Sequence, residues 1–328
     1  DGDDAIRQVH ALDPDIVTLD VEMPGLDGLE VLGYIMSEVP RAVIMLSAGG
    51  ADAGVSATLR ALELGAVDFV RKPSGPISLD LGRVGDRLLD ALRAAASMRV
   101  ERVHVLARPE RAVPVRARDG VAPATRAVLI AASTGGPAAL TQVIPRFSRP
   151  LGAAVLIVQH MPKGFTASLA QRLDGLSALT VCEARDGDLV RPDVAYVAPG
   201  GQHMRVLHTV DGPRLVLEHG PAVWGVRPAA DPLFASAVDV FGDQLVGVVL
   251  TGMGRDGAEG LRLVRRAGGY GVVQDPEYSV IPGMPNAALR HAGTDMTAAI
   301  GDVAAAVQHG LALLPSASRA VRRTGSVA

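Results

Sequence analysis

A hydroxyl, an imidazole and a carboxylate each follow a short apolar run in this chain: Ser133, His160 and Asp256. The runs are VLIAAS, AAVLIVQH and LVGVVLTGMGRD. They are rich in Val, Leu and Ile and too short for ordinary helices. Gly- or Pro-containing turns and helical patterns follow them. Such runs read as buried strands of a parallel sheet. In open parallel sheets the ligand crevice lies beyond the carboxyl ends of the strands. The three groups together form the parts of a serine hydrolase: a nucleophile, the base that takes its proton and the carboxylate that orients the base.

Ser133 lies in ASTGGPAAL, whose glycines allow a tight turn and leave amides open to a substrate oxygen. Pro137 suits a first helical turn. A helix N-terminus facing the serine adds positive potential where negative charge develops. The segment is not a G-x-S-x-G elbow, so an α/β-hydrolase assignment does not follow. Each residue alone has a plainer reading: a phosphate-cradling turn for Ser133, a structural strand-end histidine for His160, an N-cap for Asp256. One crevice collecting all three favours catalysis. The backbone amides of Thr134, or of the TGMG turn near Met253, are then candidates for the oxyanion hole.

The elements that must position these groups fall into two halves. In the first, 15–20 (DIVTLD), 43–48 (VIMLSA) and 66–72 (AVDFVRK) read as strands. Helical patterns run between and after them: one carrying Leu29, Leu32, Ile35, Met36 and Val39, one around 53–64, and one near 79–97 with Leu81, Val84, Leu88, Leu89 and Leu92. This alternation argues for βαβ units and a parallel sheet. Periodicity fades over 99–125, where Arg and Pro accumulate, so that stretch reads as a linker. A second set of strand–helix units occupies 126–315, and SASRAVRRTGSVA within 316–328 reads as a disordered tail. The expected class is α/β in two domains, 1–98 and 126–315.

Composition narrows the chemistry. The 328 residues are 48% hydrophobic but only 3% aromatic, which suits aliphatic strands and Ala-rich helices. A net charge of −3 does not favour nucleic acid, and the basic stretch from Arg108 to Arg126 lacks a helical face. No run approaches the roughly 20 apolar residues of a membrane span, and no signal peptide opens the chain. Cys182 is the single cysteine, which excludes an intramolecular disulfide and a Cys-cluster metal site. Together these features lead to an expectation of cytoplasmic location without membrane insertion.

Residues 127–314 resemble the catalytic domain of the bacterial chemotaxis protein-glutamate methylesterases. The matching segments, in order, are IAASTGGP, QHMPKGFTASLAQRLD, VCEARDGD, YVAPGGQH, LTGMGRDGAEGL, VVQDPE and GMPNAAL. The resemblance implies a doubly wound parallel-sheet esterase domain with the triad on Ser133, His160 and Asp256 and the oxyanion region on Met253. It implies hydrolysis of glutamyl γ-methyl esters on methylated chemoreceptors, with release of methanol and no cofactor. Some members also deamidate receptor glutamines. His203, in the APGGQH block, would help shape the cleft. The segment HGPAVWGVRPAADPLF departs from the family's usual Pro-Ser-Val-Asp, with Pro228, Ala229, Ala230 and Asp231 in its place. That departure falls on the substrate-facing surface.

The first half resembles a response-regulator receiver of flavodoxin-like fold. Asp20 before VEMPGLDG matches the phosphoacceptor, Ser47 the hydroxyl that senses the phosphoryl group, and Lys72 before Pro73 the lysine that pairs with the aspartate. Strand ends again bring all three to one crevice. The resemblance implies a chemotaxis histidine kinase as phosphodonor and Mg²⁺ as the ion that neutralises charge during transfer. Receivers place an acidic pair for that ion after their first strand, and this sequence starts beyond it. The opening DGDDAIRQV matches a receiver's second helix, so Asp3 and Asp4 are not that pair. The resulting expectation is a first domain truncated relative to receivers, with no complete metal site, slow phosphorylation of Asp20 and weakened inhibition of the esterase. The competing reading of the whole chain is a catalytically silent, receptor-binding adaptor, against which the intact Ser133, His160 and Asp256 argue.

Overall fold

The computed structural model describes residues 1–47, 52–73, 81–96 and 122–315. The basic stretch Arg108 to 121 and the expected tail lie outside them. The first domain runs α1 (Gly2–Leu12), β1 (Ile16–Asp20), α2 (Gly28–Glu38), β2 (Ala42–Ser47), α3 (Asp52–Glu63), β3 (Asp68–Arg71) and α4 (Leu81–Ala96). Its three strands are parallel, in the order β1-β2-β3. The sequence D-G-L-E sets the start of α2. The Asp27 side chain accepts from the Leu29 and Glu30 amides, and Glu30 reaches back to the Asp27 amide in a capping box. That cap holds the loop leaving Asp20. Along α4, Val84, Leu88 and Leu92 pack toward β2 and β3, around buried Ala91 and Ala95. Leu89, expected on the same apolar face, is instead half exposed, because it lies about 100° round the helix from Leu88, off the stripe formed by Leu88, Ala91, Leu92 and Ala95.

The second domain begins with Ala124, whose amide donates to the Val190 carbonyl at 2.9 Å. It continues through β4 (Ala127–Ala132), α5 (Gly136–Val143), β5 (Ala154–Gln159), α6 (Phe165–Leu176), β6 (Thr180–Glu183) and β7 (Val194–Val197). Then come β8 (His203–Thr209), β9 (Gly212–Glu218), α7 (Ala230–Phe241), β10 (Leu245–Val249), α8 (Ala258–Arg266), β11 (Tyr270–Gln274), α9 (Gly283–His291), β12 (Met296–Ala298) and α10 (Val303–Leu313). Seven of these strands form one parallel sheet, in the order β12-β11-β10-β4-β5-β7-β6. The chain goes outward from β4 through β5 on one side and returns to lay β10 on the other. The topological switch point therefore falls between β4 and β10, where such sheets open a crevice.

Every residue of β4, β5 and β10 is buried, and the two-residue strand period sorts their side chains onto two faces. Val128, Ile130 and Ala132 meet Leu140, Val143, Leu169, Leu173 and Val307 of α5, α6 and α10. Ala127, Leu129 and Ala131 meet Leu233, Phe234, Leu261, Val264 and Met284 of α7, α8 and α9. Each fully buried Leu, Val or Ile contributes about 1.5–3 kcal/mol, so this two-sided core fixes the strand ends rigidly. Strands β8 and β9 form an antiparallel ribbon packed on α7, turning at Val210–Asp211. The sequence pattern predicts only strand–helix units in this region, although D-G after an alternating run is a turn signal.

The two domains touch through a continuous apolar cluster. Phe69 of β3 stacks on Phe165 of α6, with ring centroids 4.6 Å apart and planes 28° off parallel. The Asp68 carboxylate accepts from the Thr134 hydroxyl at 3.0 Å, and both side chains are buried. Arg87 holds the same carboxylate with bonds of 2.9 and 2.8 Å, and Glu63 pairs with Arg172 at the rim.

Candidate active site

Ser133, His160 and Asp256 leave the carboxyl ends of β4, β5 and β10, three adjacent strands spanning the switch point. Asp256 is 2% exposed and His160 has a side-chain exposure of 10%. His160 Nε2 lies 2.7 Å from Asp256 Oδ2. With the Nε2 proton donated to that carboxylate, Nδ1 is the ring nitrogen left to act as base. No hydrogen bond joins the Ser133 hydroxyl to His160 in this arrangement. Catalytic contacts of this kind commonly close only with substrate in place.

The scaffold around Ser133 is over-determined. Its amide donates to the Thr251 carbonyl at 3.0 Å, and its own carbonyl accepts from Gln159 Nε2 at 2.8 Å and the Gly136 amide at 2.7 Å. Gly252 packs so closely that a Cβ there would meet Ser133 Cβ at 2.7 Å and Met284 Sδ at 2.3 Å. The Thr251 hydroxyl ties the two turns together, donating to Thr134 O at 3.0 Å and accepting from the Ile281 amide at 2.9 Å. Thr134 follows the serine directly and Met253 is on the neighbouring turn, 42% exposed.

The sequence suggests Asp256 as an N-cap, and the structure gives it a different helix. The cap of α8 is Gly257, with φ 85° and no side-chain bond. Asp256 instead sits at the N-terminus of α7. Its Oδ2 accepts from the Ala230 amide at 2.6 Å and its Oδ1 from the Asp231 amide at 3.0 Å, with the Gly257 amide also at 3.0 Å. Asp231 returns the arrangement, accepting from the Gly257 amide at 3.0 Å and the Gly260 amide at 2.7 Å, at the start of α8. Two carboxylates thus cap each other's helices, each where the helix dipole favours negative charge. His203 is buried and pins the chain entering α7: its Nδ1 accepts from the Ala229 amide at 3.1 Å and its Nε2 donates to the Pro221 carbonyl at 2.9 Å.

Burial and then the neighbouring Asp256 carboxylate raise the pKa of Asp231, against the pull of hydrogen bonds from Trp224, Gly260 and Gly257. An acid with a raised folded pKa contributes stability that is present below the unfolded value and lost as pH rises through the folded value. Relative to Asp231→Asn, the wild-type chain is therefore expected to lose thermal stability as pH climbs from about 4 upward. Melting temperatures of both proteins across that range check this, and a difference that stays flat with pH refutes it.

Asp20, Ser47 and Lys72 also converge, at the ends of β1, β2 and β3. Lys72 Nζ pairs with Asp20 Oδ2, and the Thr58 hydroxyl donates to buried Ser47 at 3.2 Å. Asp3 and Asp4 lie on the first turn of α1, where Asp4 pairs with Arg7. Among the described residues no group of three or more His, Cys, Asp or Glu could hold a metal ion. Cys182 lines a cavity of about 900 Å³ along the β6 edge, whose lining includes none of the triad. Burial pushes its thiol up to about 11, which makes it a poor nucleophile.

Comparison with known proteins identifies both domains. Residues 128–307 match the CheB methylesterase family model and residues 1–80 the response regulator receiver domain. A protein-glutamate methylesterase/protein-glutamine glutaminase of Symbiobacterium thermophilum is 50% identical over 296 residues, covering 87% of this chain and 81% of that one. The protein of that name from Pyrococcus horikoshii is 46% identical over 294 residues, covering 88% and 78%. The crystal structure of the Thermotoga maritima CheB methylesterase catalytic domain superposes with a TM-score of 0.55 at 36% identity, over 56% of this chain and 97% of that one. With the switch-point crevice of the second domain and the Asp–Ser–Lys crevice of the first, these matches show that the chain belongs to the CheB methylesterase family and carries a response-regulator receiver domain.

Proposed function

We infer that Ser133, His160 and Asp256 catalyse the hydrolysis of glutamyl γ-methyl esters on chemoreceptors, and of receptor glutamine amides. The observation that carries this reading is the His160–Asp256 contact, set beside Ser133 on adjacent strand ends. His160 Nδ1 takes the Ser133 proton as Oγ attacks the ester carbonyl. The Thr134 and Met253 amides are candidates to hold the resulting oxyanion. Collapse breaks the acyl–oxygen bond, and the imidazolium returns its proton to the leaving methoxide, giving methanol and an acyl-serine. Water, deprotonated by the same nitrogen, then releases the glutamate carboxylate. Throughout, Asp256 stabilises the charged imidazole and fixes its tautomer. Methanol release from methylated receptor membranes, compared with the Ser133→Ala variant, tests the assignment.

The first domain is the regulator in this reading, with Asp20 as phosphoacceptor, Ser47 and Lys72 as the groups that respond, and the chemotaxis histidine kinase as donor. In the family Mg²⁺ supplies charge neutralisation for that transfer. This signalling role fits a cytoplasmic protein; among the described residues no helix is long and apolar enough to cross a membrane. Asp68 holds the hydroxyl of Thr134, next to the nucleophile, so the docked receiver restrains the catalytic turn. Weakening the dock is expected to raise unphosphorylated turnover. The charge reversal Arg172→Glu, opposite Glu63, should do so by about fivefold. Unchanged basal turnover, with the domains shown to separate more readily in proteolysis, would count against restraint by the receiver.

A further inference from the structure

Trp224 is the sole tryptophan of the chain, and it sits where a tryptophan is costly. Val223 and Val226 exchange backbone hydrogen bonds of 3.1 and 3.0 Å around Trp224 and Gly225. Both central residues have positive φ, 55° and 78°. This is the pattern of a type I′ turn, whose first central position belongs to Asn, Asp or Gly. A bulky side chain with positive φ is a backbone outlier, and such outliers gather at functional sites. The ring is also 50% exposed. It is held on two sides all the same. Its Nε1 donates to Asp231 Oδ2 at 2.7 Å, and Arg255 Cζ lies 4.2 Å from the ring centroid. Arg255 immediately precedes Asp256, and Asp231 lies one residue from the Ala230 amide that Asp256 holds. The ring thus stands at the rim of the catalytic crevice.

The charge of this rim is uncommitted. Among the described residues Arg255, Arg227 and Lys163 form no ion pair, although the chain as a whole carries net charge −3. Lys163 is three residues beyond His160, and Arg227 binds only the His219 and Gly220 carbonyls. We propose that the Trp224–Arg255 pair is a recognition platform for an acidic substrate segment: Arg255 pairs with a carboxylate beside the esterified glutamate, and the exposed indole packs against the segment's apolar atoms. A cation stacked on an aromatic face keeps its outer N–H groups free for one such planar partner. This proposal rests on the esterase reading above and names what that site selects: an ester set among carboxylates.

The test uses the full chain and two synthetic peptides with one glutamyl methyl ester each, one flanked by glutamates and the other by glutamines. Wild type is expected to prefer the acidic peptide in kcat/KM by about tenfold, and to lose that preference as salt screens the rim. Arg255→Gln should reduce it to within about twofold. Trp224→Phe keeps the ring but loses the bond to Asp231, so it should retain a KM that Trp224→Ala raises. If the tryptophan serves only to hold Asp231, both variants fail alike, and the platform is refuted. Full preference in Arg255→Gln refutes it equally. Because Trp224 is the sole tryptophan, its emission follows binding directly: a salt-sensitive shift with the acidic peptide supports the platform, and no shift overturns it. Absence of hydrolysis of either peptide by the wild-type chain would count against the esterase, while the emission would still decide the platform.

Discussion

Exchange of Ser133 for alanine is expected to lower methanol release by about 10⁴–10⁶-fold while leaving the fold intact. The size follows from the chemistry. Without the hydroxyl there is no acyl-enzyme, and hydrolysis must pass through direct attack of water, helped only by binding and by the oxyanion donors. The stability follows from the scaffold. Ser133 is held by its backbone, through Thr251, Gln159 and Gly136, and its hydroxyl has no bond to His160 that alanine would sacrifice. Thermal unfolding should therefore move by no more than about 2 °C, the scale of a fraction of a kcal/mol in domains of this size. A variant that folds normally and retains even a tenth of the activity would remove Ser133 from the mechanism. A variant that loses activity by unfolding would leave the hydroxyl's role to His160→Ala, whose loss should be of the same size, because members of such a unit are not additive.

Why these three residues were legible in the sequence is a matter of burial. β4, β5 and β10 are covered on both faces, so their sequences are nearly pure Val, Leu, Ile and Ala, and their ends are sharp. A polar group just beyond such a run can only be at a strand end. The first domain's strands revealed Asp20, Ser47 and Lys72 for the same reason. The ribbon β8–β9 was missed because its outer face is wet and its alternation weak: Leu207 is 52% exposed. The reciprocal caps were invisible for another reason. Asp231 and Asp256 are 25 residues apart, and each serves the helix that follows the other. Propensity assigns a cap to the nearest helix, and only packing of α7 against α8 reveals the exchange. Asp68 is similar. It lies within a buried strand, where a carboxylate is unusual, and its partners Thr134 and Arg87 come from different elements. The signal that could have found it was the lone charge in AVDFV.

The second large effect is expected at Asp256. Asp256→Asn should lower kcat by about 10⁴-fold, and here the loss should come with a loss of stability. The carboxylate accepts from three backbone amides besides His160, using both oxygens. An asparagine has one accepting oxygen, so its NH₂ must face donors. If the oxygen keeps Asp231 and Gly257, the NH₂ meets the Ala230 amide and His160 Nε2. The histidine then has to place its proton on Nδ1, the nitrogen needed as base. If the side chain turns over to serve Ala230 and His160, the amides of Asp231 and Gly257 lose their acceptor. A buried donor without an acceptor costs about 1–3 kcal/mol. Removing the negative charge beside Asp231 relieves part of that cost, since Asp256 is one cause of the raised Asp231 pKa. A net loss of about 2 kcal/mol, or about 4–8 °C in melting temperature, is the expected balance. The two consequences separate experimentally. Asp231→Asn disturbs the same exchange of caps while leaving the catalytic carboxylate in place, so it should share the change in stability without the 10⁴-fold fall. If Asp256→Asn turned over as fast as Asp231→Asn, the carboxylate would be only a helix cap, and the orientation of His160 would have to come from elsewhere.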